Sequence, residues 1–157
     1  MTNGNAKGQK YMREVCASLE RWTGGRFRPR PTIVEPSEGW QVKGDVQHAP
    51  GLWFPFSIEC KKVEKWELDG LFEAPHWPVW TWWRQCESQA LASENERPLL
   101  IFSRNRRKSY VLTEAATLDW LKLRPKHGPR VQMWTPRGVS LGLCLLDDLV
   151  HCTIPKR

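Results

Sequence analysis

The 157-residue sequence has no long hydrophobic run, no CxxC cysteine pair and no repeated or low-complexity segment. No stretch approaches the roughly 18 apolar residues that cross a bilayer, and the first ten residues lack the apolar core of a signal peptide. We therefore expect the chain to remain in the cytoplasm, with its five cysteines reduced and mostly buried. A zinc site built on Cys144, His151 and Cys152 would lack a fourth ligand.

Positive charge is abundant, with 24 lysines and arginines against 17 aspartates and glutamates and a net charge of +7. This excess favours a polyanionic partner, nucleic acid before an anionic membrane. Hydrophobic residues make up 40% of the chain, enough for the core of one domain at this length. We predict a flexible tail over residues 1–7 and a single folded domain over residues 8–157.

Tryptophan is unusually frequent, with ten residues in total and five of them between positions 66 and 83. One interpretation is packing in a core or a subunit interface. The other is stacking on exposed DNA bases. The sequence leaves both open.

The order of predicted elements indicates a mixed α/β fold built on a small sheet flanked by helices. An apolar stripe predicts a helix over residues 8–22, ended by Gly24-Gly25. Residues 35–44 are predicted to be a polar loop, and Pro78 is expected to begin a helix that runs to about residue 95. The other predicted elements are an edge strand at 26–34, strands at 44–48, 52–61, 98–103, 109–112 and 131–134, a helix at 114–122 capped by Thr113, and a helical segment at 139–151.

The strand predicted over residues 52–61 has two different faces. Because side chains alternate along a strand, Phe56, Ile58 and Cys60 share an apolar face, whereas Glu59 and Lys61 lie together on the other. Lys62 returns to the apolar side, so the two adjacent lysines are not equivalent.

An antiparallel hairpin around Pro50-Gly51 would place Asp45 opposite Glu59 and Lys61. Two carboxylates, with the backbone carbonyl of Cys60, offer the oxygen ligands that suit Mg²⁺ or Mn²⁺. Such an ion activates water against a phosphodiester, and a neighbouring lysine orients that water. The simpler alternative is a surface ion pair between Glu59 and Lys61, with Asp45 in a turn.

The residues "GD" at 44–45 and "IECK" at 58–61 resemble the core of the PD-(D/E)xK nuclease superfamily. The sequence is most similar to archaeal-type Holliday-junction resolvases and related phage endonucleases. The segments "KGQKYMREV" at 7–15, "RPLLIFSRNRRKSYVL" at 97–112 and "TPRGVSLGLCLL" at 135–146 extend the likeness along the chain. The resemblance implies a restriction-endonuclease-like domain that acts as a dimer, with Mg²⁺ or Mn²⁺, on branched DNA.

The same resemblance implies that Asp45 and Glu59 bind metal and that Lys61 is the catalytic lysine. It also expects a glutamate in the first helix, but ungapped alignment places Met12 there, with Glu14 two residues on. Gly44 stands where the superfamily usually has proline. By the same likeness, Ser37 corresponds to a loop serine, and Gln85 or Gln89 to a glutamine that positions water or phosphate.

Basic residues near these motifs are candidates for phosphate contacts. The alternative for each is a solvated charge, and Asp147-Asp148 is interpreted as surface. The resulting hypotheses are a junction resolvase, a nickase or duplex endonuclease, and a DNA-binding module without catalysis. The candidate DNA contacts are Arg26, Arg28, Arg30, Lys43, Lys62, Arg104, Arg106, Arg107 and Lys108.

Overall fold

Four helices and eight strands are defined in a computed structural model that describes residues 3–31, 39–64, 66–67, 70, 77–93, 96–135 and 137–156. The helices are α1 (Asn3–Thr23), α2 (Pro78–Ala92), α3 (Ala115–Trp120) and α4 (Leu146–Leu149). The strands are β1 (Phe27–Pro29), β2 (Gln41–Lys43), β3 (Val46–His48), β4 (Phe56–Lys62), β5 (Arg97–Ser103), β6 (Tyr110–Glu114), β7 (Val131–Trp134) and β8 (Ser140–Leu145).

The main sheet has five strands in the order β4-β5-β6-β8-β7. Strands β4 and β5 are parallel, and all other neighbours in this sheet are antiparallel. Helix α1 packs on one face through Leu19, which shares a buried cluster with Phe56 and Ile58. Helix α2 packs on the other face, where Trp83 joins Phe102. This mixed sheet between helices confirms the predicted fold class.

The tryptophans of the rich segment pack inside the protein. Trp66, Trp77, Trp80 and Trp83 are each no more than 9% exposed, and all belong to the cluster between α2 and the sheet that also contains Phe102. Core packing is therefore the interpretation that the structure supports for these four side chains.

A second, three-stranded antiparallel sheet has the order β1-β3-β2. Its β2–β3 hairpin turns at Gly44-Asp45, because Lys43 pairs with Val46. The predicted antiparallel hairpin between residues 44–48 and 52–61 is therefore wrong. Two-residue turns with a positive φ at glycine connect the two strands of a hairpin tightly. The hairpin therefore joins β2 to β3 rather than β3 to β4. Strand β2 occupies part of the predicted polar loop.

The C-terminal apolar segment also differs from the prediction, since residues 140–145 form strand β8 rather than a helix. Residues 141–144 are buried in the sheet, and a short apolar run fits a buried strand as well as a helix. Residues 3–7, predicted as a tail, belong to α1. Thr113 lies in β6 and donates a hydrogen bond to the Pro98 carbonyl instead of capping α3.

Three of the five cysteines are buried, and Cys60 and Cys152 are half-buried; all five thiols are free. Across the described parts of the chain, no helix has both the length and the apolar character needed to cross a membrane. Ser37 lies outside the described residues.

Candidate active site

The turn at Gly44-Asp45 lies directly against strand β4. Gly44 has a φ of +70°, and a Cβ atom at this position would lie 2.1 Å from the carbonyl oxygen of Ile58. Glycine alone fits so close a backbone contact. The Asp45 N–H donates to the Ile58 carbonyl at 2.7 Å, and Asp45 Oδ2 accepts from the Cys60 N–H at 2.8 Å. Strand β4 thus holds both the backbone and the carboxylate of Asp45.

Glu59 and Lys61 project together from β4 on the face predicted by alternation. The Lys61 Nζ lies 2.6 Å from Glu59 Oε1, and the Glu59 side chain is only 1% exposed. Glu59 Oε2 is buried without a hydrogen-bond partner among the described residues. The Lys61 side chain is 26% exposed, so its ammonium group reaches solvent while it pairs with a buried carboxylate.

Both carboxyl groups are harder to ionise than in water. Burial raises the pKa of Asp45, against the lowering effect of the Cys60 N–H and the Lys61 charge. Burial also raises the pKa of Glu59, and the Asp45 charge raises it further, with Lys61 offsetting part of the effect. Two mutually repelling carboxylates at one edge of a sheet form a place where a cation is stabilised.

The two glutamines predicted on α2 are placed differently. Gln89 is half-buried near Glu59, where its side chain favours the ionised carboxylate and so opposes the pKa rise that burial and Asp45 cause. The Gln89 Oε1 is buried without a partner among the described residues. Gln85 is exposed. The fold therefore brings Gln89 to the acidic pair, and its function there stays a prediction.

Lys62 lies on the opposite face of β4 from Lys61, next to α1. Its Nζ is 5.1 Å from the centre of the Tyr11 ring and 3.6 Å from Glu14 Oε2. Glu14 is exposed, and within the described residues no group of three acidic, histidine or cysteine side chains is arranged to hold a metal. Glu14 is thus a partner of Lys62 here, and its predicted catalytic role stays a prediction.

The three arginines in and around β1 have different surroundings. The Arg30 N–H donates to the Asp45 carbonyl at 2.8 Å, and its exposed side chain favours the ionised carboxylate, although burial dominates and raises the pKa of Asp45. Arg28 lies 4.2 Å from the Trp40 ring centre, with Arg26 6.0 Å from the same ring. Of Arg26, Arg28 and Arg30, Arg30 is therefore the one whose charge acts on Asp45.

Lys43 has a different environment from the other predicted DNA contacts. It forms an ion pair with Glu96, and the two side chains are only 14% and 9% exposed. Lys43 precedes the Gly44 turn, and Glu96 precedes β5, so the pair connects the small sheet to the main sheet. A half-buried, neutralised lysine is less available to phosphate than the exposed arginines.

The side chain of Ser103 fixes the backbone of the basic turn, residues 104–108, that follows β5. Its buried hydroxyl lies 3.0–3.2 Å from the carbonyl oxygens of Arg104, Arg107 and Lys108. The Arg106 and Arg107 side chains are exposed, while Lys108 pairs with Asp147 at 3.3 Å. Arg104, the first residue of the turn, is half-buried and its guanidinium lies 6.0 Å from the centre of the Trp66 ring. The contact of this turn with DNA stays a prediction.

Asp148 is not a surface residue, which corrects the interpretation of the Asp147-Asp148 pair. It is 2% exposed, and its Oδ1 accepts hydrogen bonds from the Lys126 and His127 N–H groups at 2.7 and 2.9 Å. Burial alone would raise the pKa of Asp148, but these backbone donors outweigh it and lower the pKa. The carboxylate organises the loop that follows α3. An acid within an apolar run gave no sequence signal of that role.

The residues of the acidic edge fit a hard divalent cation. Asp45 and Glu59 supply carboxylate oxygens, and Glu59 Oε2 has no other partner among the described residues. Because the N–H and C=O of a strand residue point to the same side, the Cys60 carbonyl faces Asp45, as its N–H does. This set contains only oxygen, which suits Mg²⁺ with several waters retained.

A mixed sheet between helices, with Glu59 and Lys61 on its edge strand β4 and Asp45 held against that strand, is consistent with a restriction-endonuclease-like fold. A family model described as "Phage putative PDDEXK endonuclease" matches residues 3–135, and the chain belongs to that family. The chain is therefore a nuclease of the PD-(D/E)xK superfamily. Comparison with curated proteins and with solved structures gives no match.

Proposed function

We propose that this nuclease is a Mg²⁺-dependent endodeoxyribonuclease that cuts four-way DNA junctions as a homodimer. The observation that carries the proposal is the convergence of Asp45 and Glu59 beside Lys61 at the edge of the main sheet. The family supports action on DNA. We infer that the protein works in the cytoplasm of a phage-infected bacterium.

Asp45, Glu59 and the Cys60 carbonyl would hold the cation. A bound Mg²⁺ or Mn²⁺ would favour hydroxide formation and offset charge on the phosphate. Asp45 is oriented by the Cys60 N–H, and Glu59 is fixed by burial and by Lys61. Lys61, whose side chain is 26% exposed, would orient the attacking water and offset negative charge in the transition state.

The choice of a four-way junction is supported by the likeness of residues 44–61, 97–112 and 135–146 to archaeal-type resolvases. The exposed Arg106 and Arg107 would add phosphate contacts, since their turn follows Ser103, which pairs with Lys62 at the end of edge strand β4. A dimer is supported by β7, which is an edge strand of the main sheet and carries Trp134 at 64% exposure. An exposed apolar edge of this kind favours pairing with another chain.

The deciding experiment compares cleavage of a labelled four-way junction with cleavage of a linear duplex, each with Mg²⁺, Mn²⁺ or EDTA. We expect paired symmetric nicks in the junction, weak cutting of the duplex and no cutting in EDTA. Asp45→Asn and Glu59→Gln should abolish cleavage while DNA binding is retained or tightened, because carboxylate–phosphate repulsion is lost.

Other outcomes decide against the proposal in separate ways. Equal cutting of junction and linear duplex would show a duplex endonuclease, and single unpaired nicks would show a nickase. Binding without cleavage of any DNA in either metal would show a binding module and overturn the catalytic assignment.

A further inference from the structure

Two clefts in the described part of the protein share one tryptophan, Trp120. The first, of about 680 Å³, is lined by Lys43, Trp53, Arg97 and Trp120 among others. The second, of about 480 Å³, is lined by Trp120 together with Lys122, Arg124 and Lys126. Trp120 lines both clefts, and Lys43, which lines the first, directly precedes the Gly44-Asp45 turn. The acidic pair itself lines neither cleft, so the track that the two clefts form starts next to the turn that carries Asp45 and leads away from it. We call the surface formed by Trp53, Arg97, Trp120, Lys122, Arg124 and Lys126 the Trp120 groove.

The end of the groove nearer the acidic pair is aromatic. Trp53 and Trp120 are both half-buried, and their rings meet edge to face at a centroid distance of 6.3 Å. The Arg97 guanidinium lies 4.6 Å from the centre of the Trp120 ring. Unlike the tryptophans packed under α2, these two rings are partly open to a cleft. Such rings offer stacking surfaces for bases that have left a duplex.

The far end of the groove is cationic. Lys122, Arg124 and Lys126 are exposed, and within the described residues none of them forms an ion pair. The two carboxylates that line the clefts, Asp148 and Glu96, each have one oxygen engaged, and the second oxygen of each is buried without a hydrogen-bond partner among the described residues. Asp148 is buried and accepts hydrogen bonds from backbone N–H groups, and Glu96 pairs with Lys43.

We propose that the Trp120 groove binds a single strand of DNA, with bases stacked at Trp53 and phosphates at Lys122, Arg124 and Lys126. A positive groove interleaved with aromatic side chains is the surface that sequence-tolerant single-strand binders use. A paired base keeps its faces within the duplex stack, so the tryptophans discriminate in favour of unpaired DNA. The proposal rests on the proposed function, because it names the unpaired strand next to the cut as part of the substrate.

The test measures binding of a fluorescently labelled twelve-nucleotide single strand by anisotropy in EDTA, over a series of salt concentrations. The triple variant Lys122→Gln, Arg124→Gln, Lys126→Gln should bind at least about tenfold more weakly. Its plot of log K against log salt should be less steep by about 2, from roughly 0.7 per lost single-strand contact. The matched control, Lys10→Gln with Arg13→Gln and Arg84→Gln, removes three exposed charges that line neither cleft and should retain wild-type affinity.

Substitution of Trp53 tests the aromatic end separately. Trp53→Ala should weaken binding about tenfold, as expected for one lost stacking contact, and Trp53→Phe should restore most of the affinity. Unchanged binding in both the triple variant and Trp53→Ala would refute the proposal that the Trp120 groove binds single-stranded DNA. An equal loss of affinity in the control variant would also refute it.

The groove and the nuclease assignment fail in distinguishable ways. If the wild type cuts junctions while the groove variants bind single strands normally, the groove is refuted and the nuclease proposal stands. If the wild type cuts no DNA but the groove variants lose single-strand binding, the groove stands without the catalytic assignment.

Discussion

At the scale of single residues, the raised pKa values of Asp45 and Glu59 make the stability of the folded protein depend on pH. Glu59 is buried and Asp45 is half-buried, burial raises the pKa of both carboxyl groups, and the Asp45 charge adds to the rise at Glu59. An acid whose pKa is raised by folding stabilises the native state below its unfolded pKa, near 3.9 for aspartate. That stability is lost as pH rises through the folded pKa. The acidic pair therefore stabilises the native state less at neutral pH than it does below the unfolded pKa values of the two groups.

We expect Asp45→Asn to raise the free energy of unfolding by about 1 kcal/mol at pH 7, because the amide removes a half-buried charge beside Glu59 and can still accept from the Cys60 N–H. For a chain of this length the melting temperature should rise by roughly 2–4 °C. Mg²⁺ should raise the melting temperature of the wild type and leave the variant unchanged, as followed by calorimetry.

Asp147→Asn is the matched control for this prediction. The Asp147 side chain is 54% exposed and paired with Lys108, so its loss should change stability by less than about 0.5 kcal/mol. A lower melting temperature for Asp45→Asn than for the wild type would contradict the expectation that removal of the Asp45 charge stabilises the protein.

At the scale of elements, the site depends on how closely the β2–β3 hairpin approaches strand β4. The contact consists of the Gly44 backbone against Ile58 and the two hydrogen bonds between β4 and Asp45. Glycine at position 44 is required twice, once for the positive φ and once for the missing Cβ. The hairpin therefore sets the distance between Asp45 and Glu59.

Gly44→Ala should destabilise the protein by more than about 2 kcal/mol and abolish cleavage, because the methyl group would displace the hairpin from β4. Urea denaturation and the junction assay measure the two effects. Gly51→Ala is the control, since Gly51 has a φ of +83° but no atom within 4 Å of the place that an added methyl group would occupy.

These two variants separate backbone strain from displacement of the hairpin. Gly51→Ala should cost only about 1 kcal/mol from strain and should leave cleavage intact. Full activity in Gly44→Ala would mean that Asp45 is positioned by something other than this contact.

At the scale of the whole molecule, the small sheet is joined to the core through a buried histidine. His48 is fully buried, lies 6.0 Å from the rings of both Phe27 and Phe54, and its Nδ1 is 2.8 Å from the Ala49 carbonyl oxygen. Burial lowers the pKa of His48, with the Lys43 charge acting in the same direction. The ring is therefore neutral in the folded protein.

Because folding lowers the pKa of His48, this residue stabilises the native state at pH values above the pKa of histidine in the unfolded chain, about 6.5. This stability is lost as pH falls through the folded pKa. We expect the free energy of unfolding, measured with urea, to fall below about pH 6.5 in the wild type and to fall less in His48→Phe. His151→Gln, at an exposed histidine, should follow the wild type. An identical pH profile for wild type and His48→Phe would rule out this contribution.

The sequence predicts best where one backbone period decides the outcome. Alternation along β4 correctly separated Glu59 and Lys61 from Lys62, and Pro78 correctly marked the first turn of α2. Strand β8 was mistaken for a helix, because a short apolar run buried on both faces has no distinguishing period. The burial of Asp148 could not be predicted, because its partners are backbone N–H groups of a loop more than twenty residues away.

By itself, the sequence determined the mixed α/β class, the acid and lysine that share one face of β4, and the excess of positive charge. These follow from local periodicity and composition, which need no knowledge of distant partners. The tertiary structure decided how Asp45 reaches that face, which glutamine lies beside it, and that Lys43 pairs with Glu96. Those results depend on which strand edges meet and on the steric fit of Gly44 against Ile58, and contacts of that kind exist only once the chain is packed.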